Sequence, residues 1–325
     1  MDASGGVAIT HPWVAQSRSG IRFGVACGPW WQARVLVEYV QALEDLGFDS
    51  FWAIDHPVSF GADCWTMLAA LAATTQRIRL GSLVSCVYYR PPALLARMAA
   101  DVDRLSHGRL VLGLGMGDAA GEFQRLAVPF LPVRQRQQGL EETLHIVKGL
   151  WGSGSFSFAG QQFTVSETTV EPGPVQQPHV PLLIAGGGER VTLRQVAEHA
   201  DACNFGEHPN TGGVGSVDDV RRRFEALRRH CGTVGRPYES ILRTHSTLLL
   251  LLAETEADVQ AKIDAIPPAR LATWRASSLI GTPAEAVAYY RALIDVGMQY
   301  FIAFIYGNDL ETARLLIEKV APELR

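Results

Sequence analysis

His56, in the run Asp55-His56-Pro57, is the side chain of this sequence best suited to proton transfer. An imidazole titrates near pH 6.5, so it can take up or release a proton in neutral solution. A histidine that only supports the end of a strand would look the same in the sequence. A second candidate is Asp118, which follows Gly115-Met116-Gly117 and could either exchange a proton or cap the next helix.

Three consecutive glycines, Gly186, Gly187 and Gly188, suggest a site for an anion. They lie between a predicted strand and a predicted helix, where free backbone N–H groups bind phosphate. Three glycines can equally form a plain tight turn, and the run lacks the full dinucleotide-binding fingerprint. The loop is therefore a candidate phosphate site, with the turn as the alternative.

The elements that would position these residues are short strands alternating with helices. From Ile21 onward, β-branched runs alternate with helical periodicity, which predicts parallel strands joined by crossover helices. Eight strands are predicted, at residues 21–27, 50–55, 78–86, 110–115, 182–185, 201–205, 242–252 and 300–306. Strict alternation favours a closed (β/α)8 TIM barrel with insertions, an α/β fold, over a doubly wound sheet. The loops after the strands would then carry the site.

Two segments depart from this alternation. Residues 1–20, rich in Ser, Gly and Ala, are predicted to be a mobile leader, which leaves 21–325 as a single barrel domain. Residues 152–180 are predicted to contain a β-hairpin, because Gly, Ser and Pro enclose two short alternating runs. We expect this excursion, together with the loops between strands seven and eight, to roof the pocket.

Metal chemistry is not indicated. A divalent ion needs two or three converging ligands, and no helical or alternate-strand spacing supplies them clearly, so we predict no metal site. Glu207-His208 follows strand six, and Arg243 with His245 lies within strand seven, where a hydrogen-bonded pair lining the barrel is the favoured interpretation. The five cysteines lack CxxC spacing, which argues against a disulfide framework and a zinc site and fits a reducing cytoplasm.

Composition excludes several partners. Apolar residues make up 47% of the chain and charged residues 19%, enough for a large core. The net charge of −4 gives no general attraction to nucleic acid or to anionic lipid. The one tight basic cluster, Arg221-Arg222-Arg223, is interpreted as a solvated helix face. The longest apolar stretch, Thr247 to Ala253, is too short to span a bilayer. We therefore expect a small-molecule partner in the cytoplasm.

A series of ordered motifs runs through nearly the whole chain from Ile21 onward. They are FDSFWAIDH at 48–56, TQRIRLGS at 75–82, YRPPALLA at 89–96, DRLSHGRLVLGLGMG at 103–117, Glu122-Phe123, the segment 140–151, and IAGGGERVTLRQVAEHADACNF at 184–205. Together they resemble the bacterial-luciferase-like monooxygenase superfamily, and within it the branch that uses the deazaflavin coenzyme F-420. The resemblance implies the same (β/α)8 barrel, and a homodimer formed through helices at 92–105 and 137–151.

The resemblance also implies a reaction, a hydride transfer between bound coenzyme F-420 and a small organic substrate. In those dehydrogenases a histidine after strand two acts as the base toward the substrate hydroxyl, and His56 matches that position. The family acid after strand four falls on Asp118, a shorter carboxylate than the usual glutamate. The alternatives are an FMN-dependent monooxygenase and a flavin-binding barrel without turnover.

Cofactor and substrate contacts follow from the same resemblance. The cofactor would lie against Ser82, Leu83, Val84, Met116 and Gly117, with its phosphate at Gly186, Gly187 and Gly188. A non-proline cis peptide bond is expected at Leu83–Val84, where strand three bulges behind the cofactor ring. The substrate pocket is assigned to Trp30, Phe60 and His245. Phe60 takes the place of a tryptophan found four residues after the histidine in the relatives.

Overall fold

A closed barrel of parallel strands forms the body of the protein. The computed structural model describes residues 10–28, 35–59, 62–206, 216–274 and 278–325. Its strands are β1 (Arg22–Ala26), β2 (Ser50–Ala53), β3 (Arg79–Ser82), β4 (Ser85–Cys86), β5 (Leu110–Gly115), β6 (Phe156–Ala159), β7 (Thr164–Thr168), β8 (Leu182–Ala185), β9 (Ala202–Gly206), β10 (Leu242–Leu252), β11 (Ser278–Gly281) and β12 (Tyr300–Ile305). The barrel order is β10-β12-β1-β2-β3-β5-β8-β9, and β9 pairs with β10 to close it. All eight predicted strands are confirmed as its wall.

Helices surround this barrel. They are α1 (Pro12–Ser17), α2 (Leu36–Leu46), α3 (Cys64–Thr74), α4 (Pro92–Leu105), α5 (Ala120–Arg125), α6 (Val133–Leu150), α7 (Thr192–His199), α8 (Val217–Val234), α9 (Glu256–Asp264), α10 (Pro268–Trp274), α11 (Pro283–Asp295) and α12 (Leu310–Leu315). Local signals set their ends: Asp63 caps α3 by accepting the Thr66 N–H, and left-handed Gly47 and Gly235 terminate α2 and α8. Helices α1, α5 and α10 were not predicted.

The described part of the expected mobile leader, residues 10–20, is instead an ordered cover. It contains α1, in which Trp13 and Val14 are buried, and Trp13 packs edge-on against Tyr300 at the start of β12. His11 Nδ1 accepts the Trp13 N–H, and its Nε2 bonds to the carbonyl of His179. A barrel is open at the ends of its strands, so the large Trp13 ring at this end excludes water from the core. The sequence did not reveal this role, because the residues that flank α1 are mostly polar.

The excursion at 152–180 contains the expected hairpin, β6 paired antiparallel with β7. It does not roof the strand C-termini. Glu142 of α6 accepts the backbone N–H groups of 161–163 at the hairpin tip, and Asp103 accepts those of 175 and 176. Gln176 also donates to the carbonyl of Leu110, the first residue of β5. The excursion therefore lies along the outside of α6, because a helix-to-strand connection starts and ends at the N-terminal end of the barrel.

Strand three is divided where the cofactor ring was expected. The Leu83–Val84 bond between β3 and β4 is cis, as predicted. Two glycines of the neighbouring strand β5 leave room for this bulge. A Cβ atom on Gly113 would lie 2.0 Å from the Ser82 carbonyl oxygen, and one on Gly115 would lie 2.7 Å from Val84 Cγ2. Larger residues at these positions of β5 would push the bulge out of place.

Candidate active site

Four adjacent strands carry the candidate residues. In sheet order these are β2, β3, β5 and β8. His56 follows β2, residues 82–84 form the end of β3 and the bulge after it, 116–118 follow β5, and 186–188 follow β8. Because the strands are parallel, all of these residues lie at the C-terminal end of the barrel, where barrel enzymes have their active sites.

His56 contacts a buried carboxylate, that of Glu122. Its Nδ1 donates a hydrogen bond to Glu122 Oε2, while Glu122 Oε1 accepts the N–H of Val58 at 3.1 Å. The Glu122 side chain is fully buried and that of His56 is 29% exposed. A carboxylate on Nδ1 fixes the orientation and tautomer of an imidazole, so that Nε2 is the nitrogen that can exchange a proton with a substrate.

Tyr89 also donates to this carboxylate, with 3.4 Å between its hydroxyl and Glu122 Oε2. Burial is the main reason why the pKa of Tyr89 is raised, and nearby negative charges including Glu122 add to it. The phenol therefore stays protonated at neutral pH and can only donate to the carboxylate. Val58, Tyr89 and His56 together hold Glu122 in one position.

Helix α5 aims Glu122 at His56. The helix begins shortly after Gly117, whose φ of 76° is a left-handed conformation that favours glycine. A Cβ atom on Gly117 would lie 2.7 Å from the ring of Phe123, which is fully buried and contacts the rings of Tyr89 and Phe130. Packing of Phe123 under this turn fixes the rotation of α5 and thereby places Glu122.

Asp118 has a different environment from Glu122. Its side chain is exposed, and the N-cap residue of α5 is Ala119, so the capping alternative for Asp118 is not what the structure shows. The structure brings Glu122, not Asp118, to His56. Glu122 belongs to the family-like motif Glu122-Phe123, to which the sequence assigned no role. Its position four residues after Asp118 was the only signal that it lies near the predicted acid.

A second charged cluster lies beside His56. Arg90 bridges Asp55 at 2.6 Å and Asp63 at 2.5 Å, and Asp55 Oδ2 also accepts the Cys86 N–H. Burial raises the pKa of Asp55, and Arg90 opposes that shift. Among the described residues, the buried Oδ1 of Asp55 has no hydrogen-bond partner. A buried polar atom of this kind is a candidate contact for a polar group of a ligand.

The glycine loop is flanked by a buried cation. Gly186 uses its N–H in a hydrogen bond to the Asn204 carbonyl, whereas no hydrogen bond within the described ranges uses the N–H of Gly187 or Gly188. Arg223 Nε donates to the Gly187 carbonyl at 2.8 Å, and its buried Nη1 has no partner among these residues. Arg223 therefore turns inward from α8, contrary to the interpretation of the whole cluster as a solvated face. A guanidinium and free amide groups suit an anion.

His245 is not brought to the other candidates. It lies under α11, with its ring centroid 6.1 Å from that of Tyr289 and 6.2 Å from that of Phe301. The expected hydrogen-bonded pair with Arg243 is wrong: both ring nitrogens of His245 are buried without a partner among the described residues, and Arg243 donates to the carbonyls of Ile241 and Gly297. Alternate residues of β10 face opposite sides, and this one faces the helix layer.

We expect His245 to make the protein sensitive to acid. Burial lowers the pKa of His245 to about 4, so between pH 6.5 and 4 the unfolded chain takes up a proton that the folded chain rejects. The free energy of unfolding should therefore fall as the pH drops through this window. Between pH 7 and pH 5 the loss from this residue is about 2 kcal/mol. Denaturant unfolding of the wild type and of His245→Phe at both pH values measures it, and the same pH dependence in both would contradict the assignment.

The two other predicted pocket residues, Trp30 and Phe60, lie outside the described residues, as do Glu207 and His208. Their assignments remain predictions. The loops between β10 and β12 contain α9, α10 and β11, and a small apolar cluster of Leu249, Leu251 and Ile266 joins them.

Comparison with known proteins identifies luciferase-like proteins and F420- or FMN-dependent oxidoreductases as relatives. The sequence profile described as luciferase-like monooxygenase matches residues 21–276. An F420-dependent glucose-6-phosphate dehydrogenase from Amycolatopsis mediterranei (strain U-32) is 28% identical, covering 90% of this chain and 95% of that protein. An FMNH(2)-dependent dimethylsulfone monooxygenase from Pseudomonas putida is 29% identical, covering 57% of this chain and 52% of that one. A solved F420-dependent secondary alcohol dehydrogenase has the same fold, with a TM-score of 0.79 at 16% identity, over 94% of this chain and 99% of that one.

A (β/α)8 barrel with an oriented histidine at the C-terminal ends of its strands defines a class of barrel enzymes that exchange protons with their substrates. The similar proteins described above show which family within that class the chain belongs to. The chain belongs to the luciferase-like monooxygenase family, and it is an oxidoreductase. Within the described ranges, every helix is too short or too polar to cross a lipid bilayer.

Proposed function

We propose that this oxidoreductase transfers a hydride between bound coenzyme F-420 and a small organic substrate that carries a hydroxyl or carbonyl group. The observation that supports it most is the His56–Glu122 pair at the C-terminal end of the barrel. The choice of F-420 over FMN rests on extent of similarity, since the F420-dependent relative covers 90% of the chain and the FMNH(2)-dependent one 57%.

When bound, the deazaflavin supplies a carbon centre that accepts or returns a hydride. The protein must then handle the proton. As an alcohol becomes a carbonyl, its carbon loses a hydride and its oxygen loses a proton, and Nε2 of His56 takes that proton. In the reverse direction the same nitrogen returns it. Glu122 keeps the ring in place and stabilises the imidazolium that forms.

The unpartnered groups of the site fit such a cofactor. Arg223 and the N–H groups of Gly187 and Gly188 suit its phosphate, and the buried Oδ1 of Asp55 suits a polar edge of its ring. Between Asp55 and the glycine loop, at the C-terminal ends of β3 and β5, lie the predicted contacts of the ring face. These are Ser82, Leu83, Val84, Met116 and Gly117.

The glycine loop is tested by adding charge. Gly187→Asp should weaken binding of F-420 by at least about tenfold, because a carboxylate repels a phosphate at this position. Gly187→Ala adds bulk without charge and is the matched control. Gly188 is a poorer choice, since its Cβ would lie 2.8 Å from Thr192 Oγ1. Fluorescence titration measures the affinities, and equal affinity in Gly187→Asp and wild type would place the phosphate elsewhere.

The cofactor itself is tested by spectroscopic titration of the protein with F-420 and with FMN. We expect tighter binding of F-420, and reduction of the bound cofactor by members of a panel of small alcohols. Oxygen consumption with reduced FMN would instead identify an FMN-dependent monooxygenase. Binding without turnover over a broad panel would favour a flavin-binding barrel that is not a catalyst.

We also propose a homodimer formed through α4. This helix exposes Leu94 at 49% and Leu105 at 51%, with half-buried Met98 between them on the same face. Replacing Leu94 and Leu105 together by Glu should convert the dimer to a monomer. The control is Val234→Glu, an exposed apolar residue on α8. Light scattering at micromolar concentration measures the mass, and a monomeric wild type would overturn the proposal.

A cytoplasmic location is part of the same proposal. All five cysteines are buried and unpaired with one another, as a reducing compartment permits. No nucleic acid or membrane partner is proposed, since the net charge of −4 attracts neither.

A further inference from the structure

Glu141, His145 and His199 form a cluster on the outside of the barrel, between α6 and α7. Glu141 and His145 are one turn apart on α6, and His199 is the last residue of α7. One potential ligand atom from each of the three lies within 4.8 Å of the others. The rings of the two histidines meet edge to face, with 4.6 Å between their centroids. Two imidazoles and a carboxylate in this arrangement match the ligands of zinc-class metal ions.

The carboxylate of this cluster is already oriented. Arg194 Nη2 and Gln195 Nε2 both donate to Glu141 Oε2, at 2.9 and 3.1 Å, which leaves Oε1 outside these two bonds. Glu198 Oε2 lies 3.7 Å from His199 Nε2 and also pairs with Arg194. Outer partners that hold a ligand in this way are typical of built metal sites.

The charges around the cluster allow a cation. Glu141 and Glu198 are negative, while Arg194 and Lys148 are positive, and the Lys148 ammonium donates to the His199 carbonyl at 2.6 Å. These charges balance, so the cluster carries no excess positive charge that would repel a metal ion. The His145 side chain is exposed and those of Glu141 and His199 are half-buried, so an ion can reach the cluster from solvent.

We propose that Glu141, His145 and His199 bind a divalent transition metal ion of the zinc class, with water completing the coordination. Tetrahedral ligands at about 2.0–2.1 Å from zinc lie about 3.3 Å from one another. The separations between the ligand atoms, which are up to 4.8 Å, must therefore shorten by up to about 1.5 Å, which the exposed position of His145 permits. Calcium and magnesium are disfavoured because they prefer oxygen ligands.

The bound ion would join α6 to α7 and stabilise the fold rather than take part in the reaction. Helix α7 runs from the glycine-loop side to His199 at the opposite end of the barrel, a span of about 12 Å. In a TIM barrel the N-terminal end contributes to stability, whereas the chemistry lies at the C-terminal end. The proposal is thus independent of the proposed function.

The test uses full-length protein without a polyhistidine tag, freed of metal by dialysis against EDTA. Calorimetric titration with Zn²⁺ should show one saturable site per chain, and Zn²⁺ should raise the melting temperature. His145→Gln and His199→Gln should each weaken Zn²⁺ binding by at least about tenfold. His107→Asn, which changes an exposed histidine outside the cluster, should bind as the wild type does.

Cobalt gives a second readout. Co²⁺ at the site should show the intense visible absorption of four-coordinate geometry, and this signal should weaken in the exposed-residue variant His145→Gln even if His199→Gln fails to fold. Absence of saturable Zn²⁺ binding up to millimolar concentration would overturn the proposal. Equal Zn²⁺ affinity in the wild type, His145→Gln and Glu141→Gln would also overturn it.

Discussion

Replacing His56 by alanine is expected to lower turnover by roughly two to four orders of magnitude, while the affinity for F-420 stays within a few-fold of wild type. The imidazole is 29% exposed and bonded to Glu122, and in the proposed function it takes the substrate proton instead of holding the cofactor. Steady-state kinetics and cofactor titration of the same preparation separate the two effects. If both fell together, His56 would be a structural support.

Asp118→Asn provides the comparison for His56→Ala. Asparagine keeps the size of Asp118 and replaces its carboxyl group by a neutral amide, which cannot exchange a proton. Because Asp118 is exposed and does not cap α5, its replacement should be silent unless its carboxyl group transfers a proton in the reaction. A loss of turnover similar to that of His56→Ala would identify Asp118 as the second proton-transfer group.

Glu122→Gln is expected to lower turnover by about 10- to 100-fold, with cofactor affinity unchanged. Glutamine has the size of glutamate and can still accept the Val58 N–H, so the fold should survive. Its neutral amide cannot stabilise the imidazolium of His56, and its NH2 group can favour the wrong orientation of the ring. The expected change is in kcat more than in KM, because the loss arises when charge develops on His56.

Tyr89→Phe is the matched control for Glu122→Gln. The Tyr89 hydroxyl contacts Glu122 at 3.4 Å and makes a long hydrogen bond, so its removal should cost little turnover. Melting temperatures of both variants check that the barrel is intact. Wild-type kcat in Glu122→Gln would show that His56 works without this carboxylate, and the orientation argument would then fail.

Local patterning by itself determined the barrel. Each of the eight wall strands was predicted within a few residues, because a strand buried on both faces is a short, continuous apolar run and its flanking helices have 3.6-residue periodicity. The strand pattern also placed His56 after β2, whereas the cis bond at Leu83–Val84 was predicted from the resemblance to relatives. In the closed barrel β2, β3, β5 and β8 are neighbours, so the candidate residues at their C-terminal ends lie side by side.

Tertiary structure alone decided which side chains meet. His56 and Glu122 are 66 residues apart in sequence, and their contact depends on the rotation of a six-residue helix set by Phe123, which no periodicity reveals. Trp13, in a polar segment, is buried against one end of the barrel. His245 contacts Tyr289 of α11 because alternate side chains of β10 face opposite sides of the sheet.

The cluster of Glu141, His145 and His199 could not be predicted from the sequence for the same reason, although Glu141 and His145 have helical spacing. Its third member comes from another helix, and the packing of α6 against α7 brings it near. Sequence periodicity specifies which face of an element is buried, because burial of apolar surface repeats along the element. It does not specify which polar side chains of different loops and helices come together, because that depends on the relative placement of whole elements in the closed barrel.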